Sequence, residues 1–220
     1  MLDYPSAIDL SSGHLRRLAG HLAARRREIG TRWRRITPGR QALLVLAHLR
    51  CGDTYAQFAA RFGIGVATVY RYVREAIEVL ATLAPSLAQV MRTASRLAFV
   101  ILDGTLLPVD RIAADTPYYS GEHKRHGMNV QVLTYPFGRL LWASPALPGS
   151  THDLTAARTH GIVEALAAAE LKCWADKAYQ GAGCPVRVPF RGRRLRKLRC
   201  STNRITDVVK AVLVLHHATA

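Results

Sequence analysis

Apolar positions in this chain recur at helical spacing up to about residue 90 and then gather into short runs. In SGHLRRLAGHLAARRREIGTRWRRI, Leu15, Leu18 and Leu22 fall three and four apart with arginines on the other faces, which predicts an amphipathic helix. TPGRQALLVLAHLRCG opens with Thr37 as N-cap and Pro38 at the first helical position, and Gly52 marks its stop. TYAQFAARFGIGVATVYRYVREAIEVL then predicts a helix from about Thr54 to Phe62, a turn at Gly63 to Gly65 and a longer helix from about Val66.

That spacing is a helix-turn-helix. Ala59 is small where two helices cross, Gly63 permits the tight turn, and Phe58, Phe62, Ile64, Val69 and Val73 form the shared apolar face. Thr68, Tyr70, Arg71 and Arg74 are left on exposed faces of the second helix, where hydroxyl and guanidinium groups meet phosphates and base edges in a major groove. A helical hairpin without DNA contact has the same pattern, and the arginine-rich first helix fits either a phosphate-contacting or a merely solvated face.

The turn and small residues of APSLAQVMRTAS read as a connector. From Arg96 the period changes: RLAFVIL, MNVQVLTYP and, after the Phe137-Gly138 turn, RLLWASPAL predict three adjacent strands in an antiparallel meander. A helix is expected from about Asp153 to Leu171, with Gly161 weakening its middle. KCWADKAYQ reads as a buried strand ending on an acid, and VRVPF as a shorter one. The expected organisation is α/β: a helical DNA-binding domain over 1–90, with the helix-turn-helix at about 37–82, and a sheet domain over 96–220.

Composition narrows the partner. The 220 residues are 49% hydrophobic, enough for a sizeable core, and 31 basic against 15 acidic residues leave a net charge of +16. Such an excess favours a polyanion, with nucleic acid ahead of an anionic membrane. No run approaches the roughly 18 apolar residues of a membrane span and no signal peptide opens the chain, so a cytoplasmic place is expected. Cys51, Cys173, Cys184 and Cys200 lack CxxC spacing and read as reduced structural thiols.

Three acids carry the candidate chemistry. Asp103 ends LAFVILD, Asp153 ends PGSTHD, and Asp176 lies in CWADKAYQ. Cutting or joining a phosphodiester requires charge neutralised on the non-bridging oxygens, an activated hydroxyl and a stabilised leaving oxygen. Two Mg²⁺ ions about 3.5–4 Å apart do all three, and hard cations take carboxylate ligands rather than imidazole or thiolate. Singly, Asp103 before Gly104 reads as a turn and Asp153 as a helix N-cap. Together, their order along strands and helix start points to one site.

The segments LDGTLLPVDR, YYSGEHKRHGMNVQVL, LPGSTHD, ADKAYQGAG and NRITDVVKAVLVLHHA resemble a bacterial insertion-sequence transposase of the Harbinger-related DDE superfamily. The resemblance covers nearly the whole chain from about Thr37. It implies an RNase H-like mixed-sheet domain behind the helix-turn-helix, metal-dependent strand cleavage and transfer with Mg²⁺ or Mn²⁺, and double-stranded DNA at element ends and target. A second copy of the chain or an intact transposase are further implied partners. It also implies that Asp103, Asp153 and Asp176 hold the metal at the catalytic centre. His123, Lys124, Arg125, His126 and Asn129 fall in the segment that faces DNA phosphate or the site, a solvated hairpin being the alternative for each. Glu122 stands where the family usually has a basic residue.

One part of the resemblance is missing. A late helix in such enzymes carries the last carboxylate, a Glu, yet no glutamate follows Asp176 here, and Asp207 is the remaining acid. VRVPFRGRR runs directly into LRKLRCSTNRITDVV, which implies an internal deletion of about one helix, with the domain truncated after about residue 192. Asp207 reads as a residue of a helix's first turn, or as a substitute ligand. The basic run Arg191, Arg193, Arg194, Arg196, Lys197 and Arg199 fits either DNA backbone binding or a disordered junction. The expected protein is a catalytically defective transposase-like DNA binder; the alternative is a regulator competing with intact transposase at element ends.

Overall fold

The computed structural model describes residues 12–31, 34–110 and 116–189. They divide into two units between Ser86 and Leu87. The tail with Asp207, the basic run and Cys200 lies outside the described residues, as does the expected deletion.

Among the described residues the first unit has four helices: α1 (Ser12–Glu28), α2 (Pro38–Cys51), α3 (Tyr55–Phe62) and α4 (Val66–Thr82). Their ends follow the local chemistry. Thr37 caps α2 by accepting from the Arg40 N–H, and Gly52 closes it with φ 69°. Thr54 and Gln57 form a reciprocal capping box on α3, and Gly63 at φ 66° makes the turn into α4. Leu18 and Leu22 of α1, Leu44 and Val45 of α2, Phe58 and Phe62 of α3, Ile64, and Val69 and Val73 of α4 share one core. Each such side chain contributes roughly 1.5–3 kcal/mol by leaving water.

A polar knot runs through that core. Gln41 is fully buried; its Nε2 donates to the Tyr72 carbonyl at 3.2 Å and to Glu75 at 2.9 Å, and its Oε1 accepts from Arg26 at 2.6 Å. Arg34 forks onto both Glu75 oxygens at 3.1 and 2.8 Å. A single carboxylate thus anchors α2, α4 and the segment after α1. The Arg26 guanidinium is pushed below its usual range, first by burial and then by the charge of Arg34.

The second unit contains α5 (Leu87–Ala94), β1 (Val100–Pro108), β2 (Tyr119–Ser120), β3 (Arg125–Thr134), β4 (Leu140–Ala143), β5 (Leu147–Pro148), α6 (Asp153–Thr159), α7 (Ile162–Ala168), β6 (Cys173–Ala175) and β7 (Val186–Arg187). The sheet path is β2-β3-β1-β6-β7, with β4 and β5 also on β3. β1, β3 and β4 form the expected antiparallel meander, whereas β6 lies parallel to β1 and β7 parallel to β6.

Val100, Leu102, Leu133, Cys173 and Ala175 bury one face of the sheet against Met91 and Ala94 of α5, Ala157 of α6, and Ile162 and Leu166 of α7. On the outer face, Ile101 and Val132 are half-buried while Asp103, Thr105 and Trp174 are exposed.

Several expectations change. The presumed connector is helix α5, because Val90, Met91 and Ala94 recur at helical spacing and are buried. The single helix from Asp153 to Leu171 is two, since Gly161 takes φ 67° and breaks the ladder between them. Asp103 and Gly104 are not a turn: β1 runs through both to Pro108, with Gly104 opposite Gln131. The last strand is reduced to Val186–Arg187.

Replacing Gln41 with Leu removes the acceptor of Arg26 Nη2 and one donor to Glu75, which keeps Arg34 as its partner. Gln41→Leu is expected to destabilise the helical unit by about 2–4 kcal/mol in urea unfolding. A loss below about 0.5 kcal/mol contradicts the anchoring role.

Candidate functional site

Two of the three acids are brought together by strand register. Leu102 of β1 pairs with Ala175 of β6 in parallel alignment. Asp103 follows the first and Asp176 follows the second, so the two acids leave the ends of a paired stretch whose strands lie about 4.8 Å apart. Leu102 and Ala175 turn into the core, so by alternation Asp103 emerges on the outer face, and Asp176, just past the end of β6, is exposed. β6 stops at Ala175; Asp176 then caps the short turn Lys177–Tyr179, its Oδ1 accepting from the Ala178 N–H at 2.9 Å.

Asp153 reaches the sheet from the other side. A Cβ built at Gly104 would stand 2.3 Å from its Oδ1, so only glycine leaves room for this carboxylate. Asp153 Oδ1 accepts from Asn129 Nδ2 at 2.7 Å and from Gln131 Nε2 at 3.1 Å. Gln131 Oε1 in turn accepts from the Tyr179 hydroxyl at 2.6 Å, and Gln131 Nε2 also donates to Asn129 Oδ1 at 2.8 Å. Asn129 Nδ2 has a further acceptor in the Thr151 carbonyl at 3.0 Å. Asn129 and Gln131 are buried polar side chains.

Among the described residues no group of three His, Cys, Asp or Glu side chains is spaced to hold a metal ion. Asp103 stands on the outer face of β1, while Asp153 lies against β1 at Gly104 with one oxygen engaged by two amides.

Charge crowding marks the site all the same. The Asp103 carboxyl is held above the usual carboxylate range by loss of surrounding water, then by the charges of Asp176 and Asp153, against a lowering bond from the Gly104 N–H. The Tyr179 phenol is pushed upward by burial and then by the same three aspartates, so it stays a proton donor. Burial pushes the Cys173 thiol up to about 12, which makes it an inert core residue. Two carboxylates fit a hard divalent ion of the Mg²⁺ kind, which completes its shell with water and phosphate oxygens rather than a protein cage.

His123 and Lys124 lie in an exposed turn between β2 and β3, Lys124 at φ 52°, and Arg125 begins β3. His126 is half-buried and sits edge-on to Tyr119 at 5.3 Å. Asn129, expected to face DNA phosphate or the site, donates to Asp153.

In the helical unit, Tyr70, Arg71 and Arg74 are exposed and Thr68 half-exposed on α4. Arg74 pairs with Glu78 at 2.9 Å, so its charge is partly spent locally. Arg71 lies back over the start of its helix, its Nη2 3.4 Å from Thr68 Oγ1. Together with Thr31, Arg34, Arg35 and Tyr72 these two line a cavity of about 570 Å³. Thr31, Arg34 and Arg35 belong to the basic stretch that fits either a phosphate-contacting or a solvated face, and the fold places them beside Arg71.

The sequence pattern of the helix-turn-helix of DDE superfamily endonuclease matches residues 34–86, and that of DDE superfamily endonuclease matches residues 102–212. No curated protein and no solved structure matches the chain. Members of this family typically use a divalent metal. The second match starts at the strand bearing Asp103 and spans half of the sequence: the chain belongs to the DDE superfamily endonucleases, transposase-like proteins with an N-terminal helix-turn-helix.

Proposed function

We propose that this chain is a transposase-like protein of the Harbinger-related branch, working on DNA in the cytoplasm, whose helical unit binds double-stranded DNA at element ends. Its sheet unit carries a two-carboxylate centre for Mg²⁺ or Mn²⁺ on Asp103 and Asp176. The observation that supports this reading is the parallel register of Leu102 with Ala175, the residues that immediately precede those two acids. A divalent ion there supplies Lewis-acid stabilisation of the phosphoryl oxygens and lowers the pKa of an attacking hydroxyl. Asp103 and Asp176 provide the oxygen ligands, and Arg71, Arg35 and Thr68 of the helical unit contact the DNA backbone.

Strand cleavage is impaired in this reading. No third acid among the described residues joins the pair, and no glutamate follows Asp176 in the sequence. Loss of one metal-holding carboxylate commonly lowers rate by several orders of magnitude. A regulator occupying element ends in competition with intact transposase is the second reading. It is favoured by the well-capped, well-packed helix-turn-helix beside a centre of only two acids.

An element-end duplex with Mg²⁺ or Mn²⁺ tests the chemistry. Nicking is expected at no more than a trace level and is abolished by Asp103→Asn or Asp176→Asn. Robust nicking by the unaltered chain contradicts impairment. Gel shifts that survive Asp103→Asn, with no nicking at any metal concentration, support the regulator.

Arg71→Ala is expected to weaken duplex binding about 10-fold and to reduce the slope of log K against log salt by about 1. An unchanged slope removes Arg71 from the phosphate contacts.

Asp103 also gives a pH-dependent signature. Its folded-state carboxyl titrates above the unfolded one, so the stability it contributes is present at acid pH and lost as pH rises through the folded value. Without divalent ion at pH 7, Asp103→Asn should therefore raise Tm by about 1–3 °C, and the gain should vanish near pH 3. A lower Tm at pH 7 runs against crowding at this site.

A further inference from the structure

We infer that Asp153 is a positioning residue which holds the Asp103 and Asp176 backbones in register, rather than a third ligand. The inference rests on the two-carboxylate centre proposed above. Asp153 opens α6, and its carboxylate is pressed against the β1 backbone at Gly104, the residue after Asp103. From the same carboxylate a chain of hydrogen bonds runs through Gln131 to the Tyr179 hydroxyl. Tyr179 closes the turn that Asp176 caps. One side chain is therefore tied to both acid-bearing segments.

Donor and acceptor roles allow only one arrangement of this chain. The Tyr179 hydroxyl gives its hydrogen to Gln131, which forces the Gln131 amide nitrogen towards Asp153 and Asn129 Oδ1. Asn129, satisfied at its oxygen by Gln131, then directs its nitrogen to Asp153 and to the Thr151 carbonyl. Both donors meet on Asp153 Oδ1. To reach an ion on the outer face that carboxylate would have to leave both amides and pass through β1. Buried amides stripped of their acceptor are strongly unfavourable.

A positioning carboxylate needs an acceptor oxygen, not a charge, and that separates the two roles. In the full chain, Mn²⁺ binding by electron paramagnetic resonance and amide hydrogen exchange without metal would be measured for Asp153→Asn, Asp153→Ala and Asp176→Asn. Asp153→Asn keeps the acceptor and is expected to retain Mn²⁺ affinity within about 3-fold, with exchange unchanged. Asp153→Ala is expected to lose about 10–100-fold in affinity, as for residues that orient metal ligands. It should also speed exchange over 102–105 and 176–180. Asp176→Asn should abolish binding and leave β1 exchange as it was.

If Asp153→Asn loses Mn²⁺ as fully as Asp176→Asn, Asp153 is a ligand and the inference is overturned. It is equally overturned if Asp153→Ala leaves exchange in both segments unaltered. If the unaltered chain binds no Mn²⁺, the two-carboxylate reading fails, and the exchange measurement alone still decides whether Asp153 positions the segments.

Discussion

The close approach of one carboxylate to one glycine organises the sheet unit. Asp153 occupies the space that any side chain at position 104 would fill. This contact sets the start of α6 against the middle of β1, and the buried amides of Asn129 and Gln131 are arranged around it. A carboxylate brought this deep needs hydrogen-bond donors, because desolvation without them is costly. Two amides and a phenol provide the network, and they belong to β3 and to the turn after β6. The segments that carry Asp103 and Asp176 are therefore cross-tied.

Both units use the same device. In each, a glutamine with no exposure lies where elements meet, and both ends of its amide are engaged. Gln41 joins Arg26 to Glu75, while Gln131 joins Tyr179 to Asp153. A neutral amide is suited to this place, being donor at one end and acceptor at the other without a net charge to desolvate. The helical unit uses it to hold the recognition helix α4 against α2. The sheet unit uses it to relate two acids distant in sequence.

Much of the helical unit is legible in the chain. Thr37, Pro38, Thr54, Gly52 and Gly63 act on their immediate neighbours, so the ends of α2 and α3 follow from local chemistry. The apolar residues expected on the shared face are the ones found in the core. Local rules failed where a neighbour far along the chain decides. Asp-Gly at 103 and 104 has turn chemistry, yet pairing with β3 along its whole length keeps it extended. Small residues made α5 look like a connector, though its apolar stripe has the sheet unit's core to pack on.

By itself the sequence determined the ends of α2 and α3, the excess of positive charge, the helix-turn-helix and the types of side chain able to hold a hard cation. These depend on spacing and on chemistry that each residue carries wherever it sits. Only the tertiary structure decided which acid-bearing segments become neighbours. A parallel partner sets the register, so Leu102 lies beside Ala175 and the segments that bear Asp103 and Asp176 meet, while Asp153 reaches β1 at Gly104. The pairing of strands separated by seventy residues, like the cavity that unites Arg35 with Arg71, is a property of the folded chain.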